Sequence, residues 1–158
     1  VAVGQRVGAG KNTEALFVAR LTLFWGSLWM LAGGVVLAVF PYDVVGWFSD
    51  EPLVIQMGAA LVLVAAFFQV ADGAQAIASG ALRGAGLTRE PFVANLGGYY
   101  LFGLPVGFAL AFGLGWRTFG LWMGLALGLL LCALYLVHAM RLIRGAVPQP
   151  TTSRVRET

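Results

Sequence analysis

The chain has 158 residues, of which 59% are apolar and only 11% are charged, and its mean hydropathy is +0.85. A soluble domain carries about 25% charged residues, so this composition excludes a self-sufficient soluble protein. The net charge of +3 comes from basic residues that are scattered along the chain, which excludes a nucleic-acid-binding face. With one cysteine and one histidine, the chain cannot build a disulfide framework or a zinc site by itself.

The first ten residues read as the last turns of a helix that closes in the glycine-rich turn Gly8-Ala9-Gly10. The chain starts with Val1 inside this apparent helix and shows no signal-peptide layout. We therefore expect the sequence to be a fragment of a longer protein whose N-terminal portion is missing.

Four stretches without a charged residue follow, at 21–42, 53–71, 91–116 and 118–137. Each is close to or above the roughly 20 residues that a helix needs to cross a bilayer. Because backbone polar groups must be paired within the chain in lipid, these stretches predict helices. The predicted fold class is an all-α integral membrane protein, with a membrane domain at 1–144. The four transmembrane helices are predicted at 16–40, 53–81, 91–112 and 119–140.

The tail at 145–158 is polar and contains proline, which predicts a disordered cytoplasmic segment. Lysine and arginine are enriched in the cytoplasmic segments of membrane proteins. Nine of the ten basic residues lie on one side of the predicted helices, and Arg117 alone lies on the other. The nine are Arg6, Lys11, Arg20, Arg83, Arg89, Arg141, Arg144, Arg154 and Arg156. We therefore predict that both chain ends are cytoplasmic.

A short sequence pattern occurs twice. Gly8-Ala9-Gly10 followed by Glu14 returns as Gly84-Ala85-Gly86 followed by Glu90. Each copy has the glycines that end a helix and an acid suited to the first turn of the next. Two interpretations remain open: independent tight turns, or a duplicated helix-pair unit of the kind found in transporters.

Asp72 lies inside the second predicted span, where a charged carboxylate costs about 2.5–3.5 kcal/mol on insertion scales. Such a group must face a polar cavity, bind a cation or carry a proton. A helical wheel puts several polar residues in the same sector of the helix. They are Gln69, Asp72, Gln75 and Ser79. We interpret Asp72 as the binding site for a coupling ion or an organic cation, and as a possible Na⁺ ligand, aided by Gln69 and Gln75. The alternative is a carboxylate that only hydrogen-bonds to a neighbouring helix.

The third predicted span adds Asn95 and Tyr99 on one helix face, with Tyr100 beside them. Aromatic rings next to a carboxylate suit organic cations, so Asn95 and Tyr99 are candidate binding residues. The alternative role for both is packing. Pro105 removes a backbone hydrogen bond, which predicts a kink in this helix.

The chain shows no Ser-His-Asp set, no HExxH motif and no phosphate-binding glycine loop. The sequence therefore predicts no enzyme activity and no cofactor.

Several motifs, taken together and in order, resemble the MATE (multidrug and toxic compound extrusion) family. The central motifs are D-G-A-Q at 72–75 and G-A-L-R-G-A-G at 80–86. Others are V-G-Q-R-V-G-A-G at 3–10, F-S-D-E-P-L-V at 48–54, the pair Y-Y with G-L-P at 99–105, and G-L-W-M-G-L at 120–125. The resemblance covers nearly all of the chain except the tail.

The resemblance implies a twelve-helix transporter of two lobes, of which this chain holds the end of the eighth helix through the twelfth. It implies export of organic cations in exchange for Na⁺ or H⁺, in the bacterial plasma membrane. Asp72 matches the family's cation-binding acid of the tenth helix. Asp50 and Glu51 correspond to an acidic outer entrance, although this chain reads Asp-Glu-Pro where the family has Asp directly before Pro.

The expected partners are membrane lipid, organic cation substrates and the remaining helices of the full-length transporter. Two other functions stay open. One is a lipid-linked oligosaccharide flippase of the same superfamily, which would use basic residues in its cavity. The other is a four-helix membrane assembly subunit without transport activity, which would not need Asp72.

Overall fold

The computed structural model describes residues 1–146, so nearly all of the tail predicted at 145–158 lies outside the described residues. Within this part the chain forms helices and no strand. In chain order the helices are α1 (Ala2–Gly8), α2 (Asn12–Val39), α3 (Pro41–Gly46), α4 (Pro52–Gly84), α5 (Arg89–Gly113) and α6 (Arg117–Gly145).

Four of these helices, α2, α4, α5 and α6, are long and apolar enough to cross a membrane. The predicted all-α class with four transmembrane helices is confirmed. Helices α4, α5 and α6 run past both ends of their predicted spans, because backbone hydrogen bonding continues beyond the apolar stretch. Helix α2 starts four residues before its predicted span and ends one residue short of it. Helix α4 begins at Pro52 and ends at Gly84, three residues past the expected end at Ala81.

Helix α4 packs against α2 on one side and against α6 on the other, and α5 packs mainly on α6. Most of the buried apolar residues lie at one end of this bundle, where α1 and α4 end and α2 and α5 begin. We call this the basic end, because Arg83, Arg89 and Arg141 lie there, and we call the other the opposite end. Members of the buried cluster are Val7, Leu16, Leu82, Leu136 and Ile143.

The basic end is also joined by hydrogen bonds between distant parts of the chain. The Nδ2 group of Asn12 donates to the carbonyl oxygens of Arg144 at 3.1 Å and Ala146 at 2.7 Å. These carbonyls come after the last α-helical turn of α6, where backbone acceptors lack helical partners. The start of α2 is thereby tied to the end of α6.

The two glycine-rich turns share one backbone geometry. Gly10 and Gly86 have positive φ angles of 74° and 81°, which a residue with a side chain rarely adopts. In the first turn the Lys11 amide donates to the Arg6 carbonyl at 2.8 Å, and in the second the Leu87 amide donates to the Leu82 carbonyl at 2.9 Å. Both are hydrogen bonds from residue i to residue i−5, which are typical of the Schellman motif that ends a helix at glycine. Both open interpretations of the repeated pattern allow this likeness.

Helices α5 and α6 contact each other through glycine. A β-carbon added at Gly98 would lie 2.7 Å from the carbonyl oxygen of Gly128, and one at Gly120 would lie 2.6 Å from the amide nitrogen of Ala111. No side chain fits at such distances, so the two backbones pack directly on each other, as in other close membrane-helix pairs. We call this contact the glycine seam; its members are Gly98, Gly103, Gly107, Gly120, Gly124 and Gly128.

The backbone of α5 widens on both sides of Pro105. Leu96–Gly103 and Ala109–Gly113 are π-helical, and the α-helical segment Leu104–Phe108 between them contains Pro105. Proline has no amide hydrogen, and its ring clashes with the carbonyl four residues earlier. Wider turns move the hydrogen-bond partner by one residue. The sequence predicted a kink at Pro105. The structure shows a change of helix type on both sides of this residue.

Candidate functional site

Asp72 lies on α4, about 18 Å along the helix axis from its last residue, Gly84, at 1.5 Å per residue. Its side chain is exposed, and it has no ion pair or hydrogen bond with the described residues. An acid at this depth is therefore open to a small cation.

A polar stripe on α4 consists of Gln69, Asp72, Gln75 and Ser79. Its two glutamines face different neighbouring helices. Gln69 turns toward α2, where its Nε2 group lies 3.8 Å from the Met30 sulfur. Gln75 turns toward α5, where its Nε2 group donates to Asn95 Oδ1 at 2.9 Å. Asp72 lies between these two on the helix surface. The structure therefore brings Gln75 together with the candidate residues of α5 and leaves Gln69 on the other side of the acid.

Ser79, the last member of the stripe, belongs to the basic end. It is buried, and its Oγ accepts a hydrogen bond from Arg83 Nη2 at 2.7 Å. The Nε group of Arg83 also donates to the Ser79 carbonyl, at 3.3 Å. Ser79 thus serves the last turns of α4.

Three helices meet in a hydrogen-bonded network beside Asp72. The hydroxyl of Tyr99 donates to Gln75 Oε1 at 3.5 Å, and the thiol of Cys132 on α6 donates to Asn95 Oδ1 at 3.3 Å. Asn95 Oδ1 therefore accepts from both Gln75 and Cys132. We call this set of four side chains the amide network. The i, i+4 spacing on α5 predicted that Asn95 and Tyr99 share one face of that helix, and both contact Gln75.

Cys132 is the member of this network that the sequence analysis did not name as a site residue. It packs closely on α5, since a β-carbon added at Gly98 would lie 3.0 Å from the Cys132 Cβ. Its thiol also satisfies the amide oxygen of Asn95. The sequence does contain a pattern that indicates this contact. Cys132 comes four residues after Gly128 and continues a series of glycines spaced by four, so it shares their helix face, which is the face toward α5.

A groove of about 430 Å³ opens next to the amide network. Asn95, Tyr99 and Tyr100 line it together with apolar side chains such as Phe92. Tyrosine faces attract organic cations, and an amide can orient a polar group of a bound molecule. A second groove of about 700 Å³ lies between α4 and α6. It is lined by apolar residues alone, among them Phe67, Phe68 and Met123.

Asp50 and Glu51 are far from the amide network. Both are exposed in the segment between α3 and α4, and the Glu51 amide donates to Ser49 Oγ at 3.2 Å. Asp72 lies about 30 Å farther along α4 at 1.5 Å per residue. Asp72 is therefore too far from Asp50 and Glu51 to share one site with them.

Among the described residues, no group of three or more His, Cys, Asp and Glu side chains could hold a metal ion. Sodium and other hard cations prefer oxygen ligands. Within the site, the carboxylate of Asp72 has both oxygens open, whereas the amide oxygens of Gln75 and Asn95 already accept hydrogen bonds. Asp72 is thus the strongest cation ligand that this site offers.

Residues 1–109 match the MatE family. The chain is 40% identical over 134 residues to the multidrug resistance protein NorM of Burkholderia vietnamiensis, covering 82% of this chain and 29% of that protein. It is 37% identical over 142 residues to the probable multidrug resistance protein NorM of Pseudomonas aeruginosa, covering 87% of this chain and 29% of that one.

The fold is similar to the crystal structure of the eukaryotic MATE transporter AtDTX14, with a TM-score of 0.80 and 26% sequence identity. That match covers 90% of this chain and 34% of the other. The chain therefore spans about a third of the length of the proteins it resembles.

Proposed function

The chain belongs to the MatE family, and from this premise we propose that it forms four helices of a multidrug efflux antiporter, which exports organic cations in exchange for Na⁺ or H⁺. The observation that carries the proposal is Asp72, an acid within a membrane-crossing helix that has no partner among the described residues. An acid in such a place is expected to serve ion or substrate binding.

Exchange follows from competition for one carboxylate. A proton on Asp72 removes the charge that attracts a cation, and a bound cation favours the ionised form. A coupling ion and a cationic substrate therefore displace each other at this position. A carrier can use such displacement only if binding at this carboxylate changes the relative stability of the two conformations between which the carrier alternates.

The amide network gives Asp72 a defined neighbourhood. Gln75 lies on the same helix as Asp72 and is held by Asn95, while Tyr99 adjoins both. In our proposal, Asn95 and Tyr99 contact the substrate through the adjacent groove, and Gln75 aligns α4 with α5. Gln69 aids the coupling ion from the α2 side. Asp50 and Glu51 form an outer entrance, and this role stays a prediction from the family resemblance.

In this proposal the protein is a multi-pass component of a bacterial plasma membrane, with both chain ends cytoplasmic. The distribution of basic residues supports this orientation, since Arg117 at the start of α6 is alone on the opposite end. The exposed apolar side chains would contact lipid and the remaining helices of the transporter. Phe67 is one of them, with 87% of its surface exposed.

Two observations oppose the other functions. The groove beside Asn95 contains no lysine or arginine among its lining residues, whereas a flippase for pyrophosphate-linked sugars would use them. An assembly subunit without transport activity would have no use for a carboxylate held at this depth at a cost of about 2.5–3.5 kcal/mol.

The test is Asp72→Asn in the full-length transporter that contains this chain. Reconstituted in vesicles, the variant is expected to lose ethidium efflux driven by an imposed Na⁺ or H⁺ gradient, because the amide cannot exchange a cation for a proton. Asp43→Asn is the matched control, since Asp43 is an exposed carboxylate of α3, and it should transport at the wild-type rate. Wild-type efflux by a correctly folded Asp72→Asn protein would overturn the proposal.

A further inference from the structure

A second polar cavity, of about 300 Å³, lies between α2 and α6 at the basic end. Three of its lining residues are basic side chains: Arg20 from α2, and His138 and Arg141 from α6. Apolar side chains complete the lining, with Leu23, Leu134 and Val137 among them. The cavity thus combines a concentration of positive charge with an apolar wall, and it is separate from Asp72 and the amide network.

The charges of this cavity are not neutralised by the described residues. The ion pair found in this part of the chain joins Lys11 to Glu14, with 3.3 Å between Nζ and Oε1. Arg20 and Arg141 are exposed and have no such carboxylate, whereas Arg83 bonds to Ser79. Like charges that line one small cavity repel each other. A bound anion would remove this repulsion.

Along α6 the lining begins with the apolar residues Leu134 and Val137 and ends with Arg141 near the helix end. Leu134 precedes Arg141 by seven residues, which corresponds to about 10 Å along a helix. Leu134 is 61% exposed, so its apolar surface is accessible next to the charges. A ligand that fits this layout carries an anionic group at one end and a hydrocarbon chain at the other.

We propose that Arg20, His138 and Arg141 bind the phosphate headgroup of an anionic phospholipid, with an acyl chain lying over Leu23 and Leu134. Arginine is suited to phosphate because its planar guanidinium donates two parallel hydrogen bonds. Basic pockets between transmembrane helices on the cytoplasmic side are a recurrent form of headgroup site. The ligand is a lipid of the surrounding membrane, and it would fasten α2 to α6.

The experiment uses the purified full-length transporter that contains this chain, in neutral detergent. Native mass spectrometry counts the lipid molecules retained after incubation with phosphatidylglycerol, or with phosphatidylcholine of the same acyl chains. The wild-type protein is expected to retain phosphatidylglycerol in preference. The double variant Arg20→Gln, Arg141→Gln should bind it about thirtyfold more weakly, since each of the two arginines contributes on the order of 1 kcal/mol near an anionic headgroup.

Arg89→Gln is the matched control, because Arg89 is an exposed arginine of the same end that does not line the cavity. It should retain as much phosphatidylglycerol as the wild type. Equal retention by the double variant and the wild type would overturn the proposal. So would wild-type protein that holds phosphatidylcholine as well as phosphatidylglycerol.

Two further measurements test whether the ligand is a lipid rather than a soluble anion, and whether positive charge is what recognises it. Inorganic phosphate at the same concentration should not raise the thermal unfolding temperature, whereas phosphatidylglycerol should; equal stabilisation by phosphate would point to a soluble anion and contradict the lipid. The charge-conserving pair Arg20→Lys, Arg141→Lys should keep most of the preference for phosphatidylglycerol. If the lysine protein folds but shows no preference, charge recognition at this cavity is wrong.

Discussion

The two main helix pairs of this chain are built from glycine in different ways. In the pair α2–α4, two glycines receive a side chain from the other helix: the space at Gly26 is filled by Ile77, and that at Gly73 by Met30, while Gly34 alone closely approaches backbone, at the Ala66 carbonyl. In the pair α5–α6, glycine meets backbone, as between Gly98 and Gly128. The first contact contains side chains that can change rotamer, whereas the second contains almost none. The two pairs should therefore respond differently to the same substitution.

The largest effect is expected from Gly98→Ala in the glycine seam. The new methyl group would lie 2.7 Å from the Gly128 carbonyl, and backbone cannot move aside as a side chain can. Overpacking of this kind costs about 1–3 kcal/mol, and we expect the upper end. The measurement is thermal unfolding of the full-length transporter in detergent.

Gly97→Ala is the control for that variant, because nothing lies within 4 Å of the added methyl group at the adjacent position. It should leave the unfolding temperature unchanged or raise it slightly, since alanine favours helix over glycine. If Gly97→Ala and Gly98→Ala are equally destabilising, the seam is not the cause and the contrast between the two pairs fails.

A smaller effect, about 1 kcal/mol, is expected from Gly26→Ala in the pair α2–α4. Here the added methyl group meets Cδ1 of Ile77, the far end of a flexible side chain. Ile77→Val removes that atom, so the double variant should be more stable than the sum of the two single changes predicts. Strictly additive unfolding energies would contradict a side-chain origin for this contact.

The smallest effect on stability is expected where the two pairs meet beside Asp72. Gln75→Ala and Asn95→Ala each remove the 2.9 Å bond between α4 and α5, and a neutral hydrogen bond within a protein contributes about 0.5–1.5 kcal/mol. We expect transport to fall more than stability, with the two changes non-additive in a double-mutant cycle. Gln69→Ala, the same change on the α2 side, should leave that coupling intact. A cycle without coupling energy would show that the bond does not join the pairs.

The sequence was sufficient for the transmembrane helices because charge-free length alone decides whether a helix can cross a bilayer. The helix ends of α4 differed from the prediction because hydrogen bonding does not stop where apolar residues do. The helical wheel placed Gln69, Asp72 and Gln75 in one sector, yet that sector faces two neighbours. Which helix each glutamine meets depends on tertiary packing, which a wheel does not contain.

The amide network shows the same limit. Spacing predicted that Asn95 and Tyr99 share a face of α5, but the partner of Asn95 on α4 is twenty residues earlier in the chain. Pro105 predicted a disturbance in α5 without specifying its form. The structure shows that form to be π-helical turns on both sides of the proline.

The glycine seam also bears on how this part of the protein can move. A shift of α5 along α6 would drive carbonyl oxygens against α-carbons, and no rotamer change is available to relieve the collision. The two helices should therefore travel together as one rigid body. Any motion of that body against α4 would have to change the packing of α4 on α6 and the hydrogen bond from Gln75 to Asn95. In the proposed function, this bond lies three residues from the acid that binds the coupling ion, so the boundary of α4 with α5 and α6 is where ion binding and helix motion would meet.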